Sequence, residues 1–168
     1  HDLDNKYFPN ENVFSWGTFI LDISNKSYDN VYSNFKRQAK RPIKKSIDLG
    51  IYVQTLEASQ IQDYAIWLSA NQSETGKNNK ISREVINQEF EYFKKKGYIY
   101  EIFVAYLDGK ILGSMGVWGF NSYITEFGVY RSSYSKQNNL YPQDLIKDSI
   151  IKFMFEKDIT FYDFAGFN

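Results

Sequence analysis

Residues 100–118 of the chain read YEIFVAYLDGKILGSMGVW, which is a β-hairpin pattern. Two runs rich in β-branched and aromatic residues flank an Asp-Gly pair, a typical two-residue hairpin turn. We therefore predict strands at 100–107 and 111–118, joined by a turn at Asp108-Gly109. A third such run at 123–130 follows the short polar break Asn121-Ser122. Together the three runs predict an antiparallel meander.

The segments on either side of the meander alternate between helical and strand-like patterns. Strands are predicted at 18–23, 51–53 and 160–164, and helices at 28–35, 42–49, 59–68, 82–96 and 142–154. Pro42 is expected to end the first helix and to begin the second. A capping box at 59–62 should open the third, and a polar loop should follow at 71–80. This order predicts an α+β fold in which helices cover a mixed sheet.

Composition excludes several classes of function. The 168 residues carry 20 basic and 20 acidic side chains, no Cys and a single His, which is His1. A disulfide framework, a cysteine nucleophile and a Cys-based zinc site are therefore impossible, and a Ser-His-Asp triad or a His-rich metal site is nearly so. The apolar runs are too short to cross a bilayer. Because the chain lacks an initiator Met, we expect a piece of a longer, cytoplasmic protein.

The strongest local charge signal lies between residues 36 and 45. Six of these ten residues are basic and none is acidic; they are Lys36, Arg37, Lys40, Arg41, Lys44 and Lys45. Such a cluster suits phosphate, because Arg offers a planar fork and Lys a mobile charge. A solvated helix face is an equally good interpretation.

Carboxylates and tyrosines supply the remaining candidates for chemistry. Glu126 lies within the third strand of the meander, and Asp163 stands between two aromatic residues in the last strand, where burial could raise its pKa. A structural role for Asp163, such as capping a turn, explains its position as well. Tyr130, Tyr134 and Tyr141 surround the loop before the last helix and could stack on a base or sugar, although packing is their default role.

Nucleotide-binding and serine-nucleophile motifs are not found. The sequence contains neither a Walker A motif nor G-x-G-x-x-G. Gly113-Ser114-Met115-Gly116 has the glycines of a nucleophile elbow, but it falls in the middle of a predicted strand. The glycines more readily indicate a bulge or a close approach of the backbone to a ligand.

Several segments together resemble the FemAB family, the FemX-like aminoacyl transferases of the GNAT superfamily. The segments are 18–24, 35–37, 41–45 and 49–51 near the start, 107–113 in the hairpin, and 139–145 with 161–166 near the end. They match the family's first strand, its R-x-x-I-x-K helix and G-[IV]-x-V strand, the GNAT hairpin, and the closing helix and Y-D-[FL]-x-G strand. The resemblance spans about residues 18 to 166 in register.

The resemblance implies a fold and an activity. The fold would be GNAT-like: a mixed central sheet with an antiparallel meander, flanked by helices. Residues 1–17 would be a linker or tail, and 18–168 the second GNAT-like domain of a two-domain protein. Family members transfer an amino acid from aminoacyl-tRNA to an amine of a peptidoglycan-precursor peptide. Their F-K-x-x-F motif follows the closing strand and is not found before Asn168, so the fragment alone is expected to be inactive.

From these observations we assign Asp163 as catalytic and Lys36, Arg37, Arg41, Lys44, Tyr130 and Tyr134 as substrate- or phosphate-binding. No metal and no cofactor are expected. Acetyl-CoA is disfavoured because 137–141 does not match the GNAT loop [RQ]-x-x-G-x-[GA]. The expected partners are aminoacyl-tRNA and a peptidoglycan precursor or other amine, not DNA, with peripheral membrane association left open. The alternatives are a non-catalytic GNAT-like module that binds tRNA or a wall precursor, and a CoA-dependent N-acyltransferase.

Overall fold

The computed structural model describes residues 18–74 and 81–165. The predicted tail at 1–17 lies outside them, as does the second part of the predicted loop at 71–80. The strands are β1 (Ile20–Asp22), β2 (Tyr52–Thr55), β3 (Ile99–Leu107), β4 (Lys110–Phe120), β5 (Tyr123–Arg131) and β6 (Phe161–Asp163). The helices are α1 (Tyr28–Ser33), α2 (Arg37–Asp48), α3 (Ile61–Glu74), α4 (Arg83–Lys95), α5 (Ser133–Gln137) and α6 (Pro142–Glu156), with a 3₁₀ turn at Ala58–Gln60.

The strands form one six-stranded sheet in the order β1-β6-β5-β4-β3-β2. Every neighbouring pair is antiparallel except β5 and β6, which run parallel. The predicted meander is confirmed as β3-β4-β5. In its first turn Asp108 has a φ of 49° and Gly109 a φ of 74°, as a type I′ turn requires at both central residues.

Helices cover the sheet on both faces, as the sequence predicts. One face, here the α6 face, carries α1, α2 and α6; its core includes Val31, Ile43, Ile146 and Ile150. The opposite face, the α3–α4 face, packs Ile61, Leu68 and Ile86 against the even-numbered residues of β3, 100–106. Among the described helices, none has both the length and the apolar composition needed to cross a membrane.

The predicted helix break at Pro42 is wrong. The break comes earlier, between Ser33 and the N-cap Lys36, and α2 then runs through Pro42 to Asp48. Proline removes one hydrogen bond, the one that would reach the carbonyl of Gln38 four residues earlier. Gln38 is exposed, so water can satisfy that carbonyl, and the helix continues.

The predicted limits of α3 are also wrong. The capping box is formed by Glu57 and Gln60 rather than at 59–62, and it opens the 3₁₀ turn that leads into α3. The helix then continues to Glu74 instead of ending near residue 68. The extra turn is held by tertiary contacts. Asn71 Nδ2 donates to the Arg131 carbonyl at 3.1 Å, and Gln72 Nε2 donates to the Tyr130 hydroxyl at 3.2 Å.

A β-bulge interrupts the pairing of β4 with β5, as the glycines predict. Ser114 pairs with Tyr130 but Gly116 pairs with Phe127, so two residues of β5 stand opposite one of β4. The first of the two is Gly128, whose φ of 56° is the left-handed conformation this type of bulge uses. Ser114 is fully buried and hydrogen-bonded to the Tyr64 hydroxyl at 3.0 Å, which makes it a core residue.

We predict that Gly116→Ala destabilises the fold by about 1–3 kcal/mol, the usual range for overpacking. A Cβ at Gly116 would lie 2.2 Å from the ring of Phe127. That ring is stacked on Tyr100 with centroids 5.2 Å apart, so it cannot simply move aside. Urea unfolding measures the loss. Adding Phe127→Leu should recover part of it, and strictly additive effects of the two changes would contradict the steric explanation.

Candidate functional site

The parallel strands β5 and β6 separate shortly after they begin to pair. Their pairs are Tyr123 with Phe161, Ile124 with Tyr162, and Thr125 with Asp163. β6 then ends, whereas β5 continues to Arg131. Beyond Thr125, no strand of the described residues lies against that edge of β5. The bulge at Gly128 falls in the same stretch, and there the Tyr130 carbonyl accepts a hydrogen bond from Gln143 Nε2 at 2.9 Å.

Glu126, the first residue of β5 beyond the paired stretch, is held by groups from β6 and α6. The hydroxyl of Tyr162 donates to Glu126 Oε2 at 2.7 Å. Lys147 Nζ lies 3.2 Å from the same oxygen and 3.4 Å from Oε1. Tyr162 is fully buried, and burial together with the Glu126 carboxylate raises its pKa. The phenol therefore stays protonated and fixes the carboxylate in place.

Lys147 makes this cluster accessible to a ligand. Its side chain is 35% exposed, whereas that of Glu126 is 9% exposed, and its ammonium lies 4.7 Å from the centroid of the Phe164 ring. One turn earlier on α6, burial raises the pKa of Asp144, and the charge of Lys147 partly offsets this. A carboxylate and an ammonium thus meet where β5 and β6 part. Such a pair can accept a proton and stabilise a developing negative charge.

Asp163 lies on the opposite face of β6 from Tyr162, because successive side chains of a strand alternate. It accepts hydrogen bonds from the Thr18 and Tyr123 hydroxyls, and from the backbone N–H of Ala165 at 2.9 Å. Burial alone would raise its pKa, but these hydrogen bonds outweigh it and leave the pKa below its ordinary value. The bond to Asp163 also raises the pKa of Tyr123 to about 12. Asp163 is thus an ionised acceptor at the end of β6, between β1 and β5.

The structure brings the predicted phosphate-binding residues together on α2. Lys36, Arg37 and Arg41 line one surface hollow, and Arg41 and Lys44 line the next. No carboxylate of the described residues forms a salt bridge with them. Lys45 Nζ donates to the Asn139 carbonyl at 3.4 Å, so the C-terminal end of α2 lies beside the loop leading into α6.

Tyr130 and Tyr134 line neither of these two hollows. Tyr130 packs on the α3–α4 face. Tyr134 is 43% exposed, and the ammonium of Lys110 lies 5.2 Å from the centroid of its ring. The structure therefore groups the four basic residues in adjoining hollows that the two tyrosines do not line.

Sequence reasoning missed Lys147 as a partner of Glu126. Ile124 pairs with Tyr162, and Glu126 follows Ile124 by two residues, so Glu126 and Tyr162 lie on the same face of the sheet. A parallel pairing between strands that are distant in sequence leaves no local signal. Within the described ranges, no three His, Cys, Asp or Glu side chains come close enough to hold a metal ion.

No protein-family model and no curated protein matches this sequence. Solved structures match its fold. FemX superposes with a TM-score of 0.73 at 12% identity, over 94% of this chain and 55% of FemX. The C-terminal domain of a protein described as a lysylphosphatidylglycerol synthetase from Agrobacterium fabrum gives 0.61 at 12%, over 89% and 46%. L-PGS from Bacillus licheniformis gives 0.60 at 11%, over 91% and 46%.

The chain thus spans about half the length of these three structures. At such low identity the likeness concerns the fold. The predicted α+β, GNAT-like fold is confirmed. The six-stranded mixed sheet, its single parallel pair and the helices on both faces give this chain a GNAT-like fold.

Proposed function

We propose that this chain is the GNAT-like domain of an aminoacyltransferase. In this proposal it moves an amino acid from aminoacyl-tRNA to an amine of a peptidoglycan-precursor peptide. The observation that carries the proposal is the Glu126–Lys147–Tyr162 cluster at the point where β5 and β6 separate. The fold likeness to FemX supports the same class of reaction.

The reaction is aminolysis of an activated ester, and its needs match the cluster. The amine nitrogen forms a bond to the ester carbonyl carbon and gives up a proton, while the bond from that carbon to the ribose oxygen breaks. We propose that the Glu126 carboxylate takes the proton and returns it to the leaving oxygen. After the amine has attacked and before the ribose oxygen leaves, the ammonium of Lys147 stabilises the negative charge on the carbonyl oxygen. Asp163, the candidate from sequence, is the alternative proton acceptor.

The donor's phosphates would bind the basic surface of α2, where Lys36, Arg37, Arg41 and Lys44 carry exposed, unneutralised charge. Aminoacyl-tRNA is already an activated ester, so the proposal requires neither a metal nor a further cofactor. Segment 137–141 does not supply the glycine-rich loop that acetyl-CoA would use, which weighs against the N-acyltransferase alternative.

We expect the double variant Arg37→Glu/Arg41→Glu to bind tRNA at least about tenfold more weakly, with a salt-dependence slope lower by about two, one for each lost phosphate contact. Both residues are exposed on α2, so folding should be unaffected. Fluorescence titration of tRNA at several salt concentrations measures the effect.

Arg83→Glu/Lys95→Glu is the matched control, since it also reverses two charges and both residues are exposed on α4, outside the basic surface. Equal losses in the control and the double variant would contradict a specific phosphate surface. Retained tRNA binding by a full-length protein that transfers nothing would favour the alternative of a binding module.

A further inference from the structure

A small, mostly enclosed pocket of about 180 Å³ lies on the α3–α4 face, between α4 and the bulge of β5. We call it the tyrosine pocket; its rings and polar tips come from Tyr64, Glu89, Tyr100, Phe127 and Tyr130. Aliphatic side chains complete its wall. A cavity of about 150 Å³ lined by apolar side chains can hold benzene, so this one is large enough for a branched alkyl or a phenyl group.

Hydrogen bonds hold the tyrosines of the pocket in place. The Tyr100 hydroxyl donates to Glu89 Oε2 at 2.6 Å, and the Tyr64 hydroxyl is bonded to Ser114 at 3.0 Å. The Tyr130 hydroxyl accepts from Gln72 at 3.2 Å. Burial raises the pKa of both Tyr64 and Tyr100, so these phenols are neutral at physiological pH. The rings therefore form fixed, uncharged walls.

Glu89 is the only charged residue among the described residues that line the pocket. No lysine or arginine of the described ranges forms a salt bridge with it. Glu89 and Val85 are exposed on α4, which places them at the mouth, whereas Leu68, Ile86 and Ile102 are buried within. The pocket thus combines an apolar interior, aromatic walls and one negative charge at its opening.

We propose that the tyrosine pocket binds the apolar substituent of a primary ammonium compound, with the ammonium group held by Glu89 at the mouth. A carboxylate and aromatic faces both attract an ammonium ion, and the apolar interior favours an alkyl or aryl chain over a polar one. The inference rests on the proposed function for its biological role, since that reaction has two such amines. They are the α-ammonium of the aminoacyl ester and the acceptor amine.

Binding of three small probes to the 168-residue chain tests the pocket directly. The probes are 3-methylbutylammonium, which represents an acceptor amine, leucine methyl ester, which represents the aminoacyl donor, and the neutral 3-methylbutanol. Calorimetric or NMR titration is run at about pH 6, below the usual α-amino pKa. We expect at least one ammonium probe to bind about tenfold or more tightly than the alcohol, as a charged hydrogen bond provides. The ammonium probe that binds more tightly shows whether the pocket takes the acceptor amine or the aminoacyl donor.

Three variants locate the interaction. Glu89→Gln keeps an acceptor for Tyr100 but removes the charge, so it should abolish the preference for ammonium over alcohol. Glu91→Gln removes the same charge from the same helix, at a residue that lines a different groove, and should keep the preference. Val85→Trp should block the mouth and weaken all three probes, without disturbing the core.

Equal binding of ammonium and alcohol, or equal effects of Glu89→Gln and Glu91→Gln, would overturn the inference. The absence of binding by every probe would do the same. Because binding is read without transfer, its outcome is separate from that of the proposed function. An ammonium-specific pocket in a protein that transfers no amino acid would refute the function and leave the pocket standing.

Discussion

Replacing Glu126 by glutamine is expected to lower the rate of aminoacyl transfer by about 100- to 10,000-fold, the contribution typical of a general base. Glutamine is nearly the same size and still accepts the hydrogen bond that Tyr162 donates to Glu126 Oε2 at 2.7 Å. The fold should therefore persist while the proton acceptor is lost. Single-turnover transfer of a labelled amino acid from charged tRNA to a precursor peptide, by the full-length protein, measures the effect.

Asp163→Asn is the informative comparison. Asp163 is the other carboxylate at the end of the parallel pair, and it lies on the opposite face of the sheet from Glu126. We expect a smaller loss of transfer from it, together with some loss of stability as its three hydrogen bonds weaken. Full activity in Glu126→Gln would refute our assignment of the base. A loss confined to Asp163→Asn would make Asp163 the catalytic carboxylate.

The second large effect concerns stability at alkaline pH. Burial raises the pKa of Tyr64 and Tyr162 far above the ordinary value of 10.0. An unfolded tyrosine ionises near that value, whereas these two stay protonated in the folded chain. The contribution of these two tyrosines to the free energy of unfolding is therefore fully present below pH 10.0, and it is lost as the pH rises above that value. Each should reduce the free energy of unfolding by about 1.4 kcal/mol per pH unit there.

Urea unfolding at a series of pH values above 10, with tyrosinate absorbance as a second signal, measures this slope. Tyr64→Phe should reduce the slope by about 1.4 kcal/mol per pH unit, since one delayed ionisation is removed. Tyr92→Phe is the control, because Tyr92 is 56% exposed, and should leave the slope unchanged. Identical slopes in both variants would show that buried tyrosines do not cause the alkaline loss.

The meander could be predicted because its signals are local. The runs of β-branched and aromatic residues and the Asp-Gly turn at 108–109 act within about 20 residues, and backbone sterics translate them directly into a hairpin. Pro42 and the end of α3 were predicted wrongly because tertiary and solvent effects outweigh local propensity there. Water satisfies the carbonyl that Pro42 leaves free, and the contacts of Asn71 and Gln72 with β5 extend α3 past its expected end.

The candidate site could likewise be predicted only in part from the sequence. Sequence alone could indicate that carboxylates in strands 123–130 and 160–164 were the available acid-base groups, and that 36–45 was a basic surface. It could not show which carboxylate meets a lysine. Glu126, Lys147 and Tyr162 are separated by 15 or more residues and meet only because β6 pairs in parallel with β5 and α6 crosses above them.

Local sequence pattern thus determined the fold class, because hairpins and helices depend on short-range sterics. Composition excluded cysteine-based sites and nearly excluded histidine-based ones, because such sites depend on residue identity. Only the tertiary structure decided that Glu126 rather than Asp163 faces Lys147, and that Tyr130 lines a different pocket from the basic residues of α2. The physical reason is that strand register and helix packing come from contacts between distant segments. A one-residue change of register would exchange the two faces of the sheet.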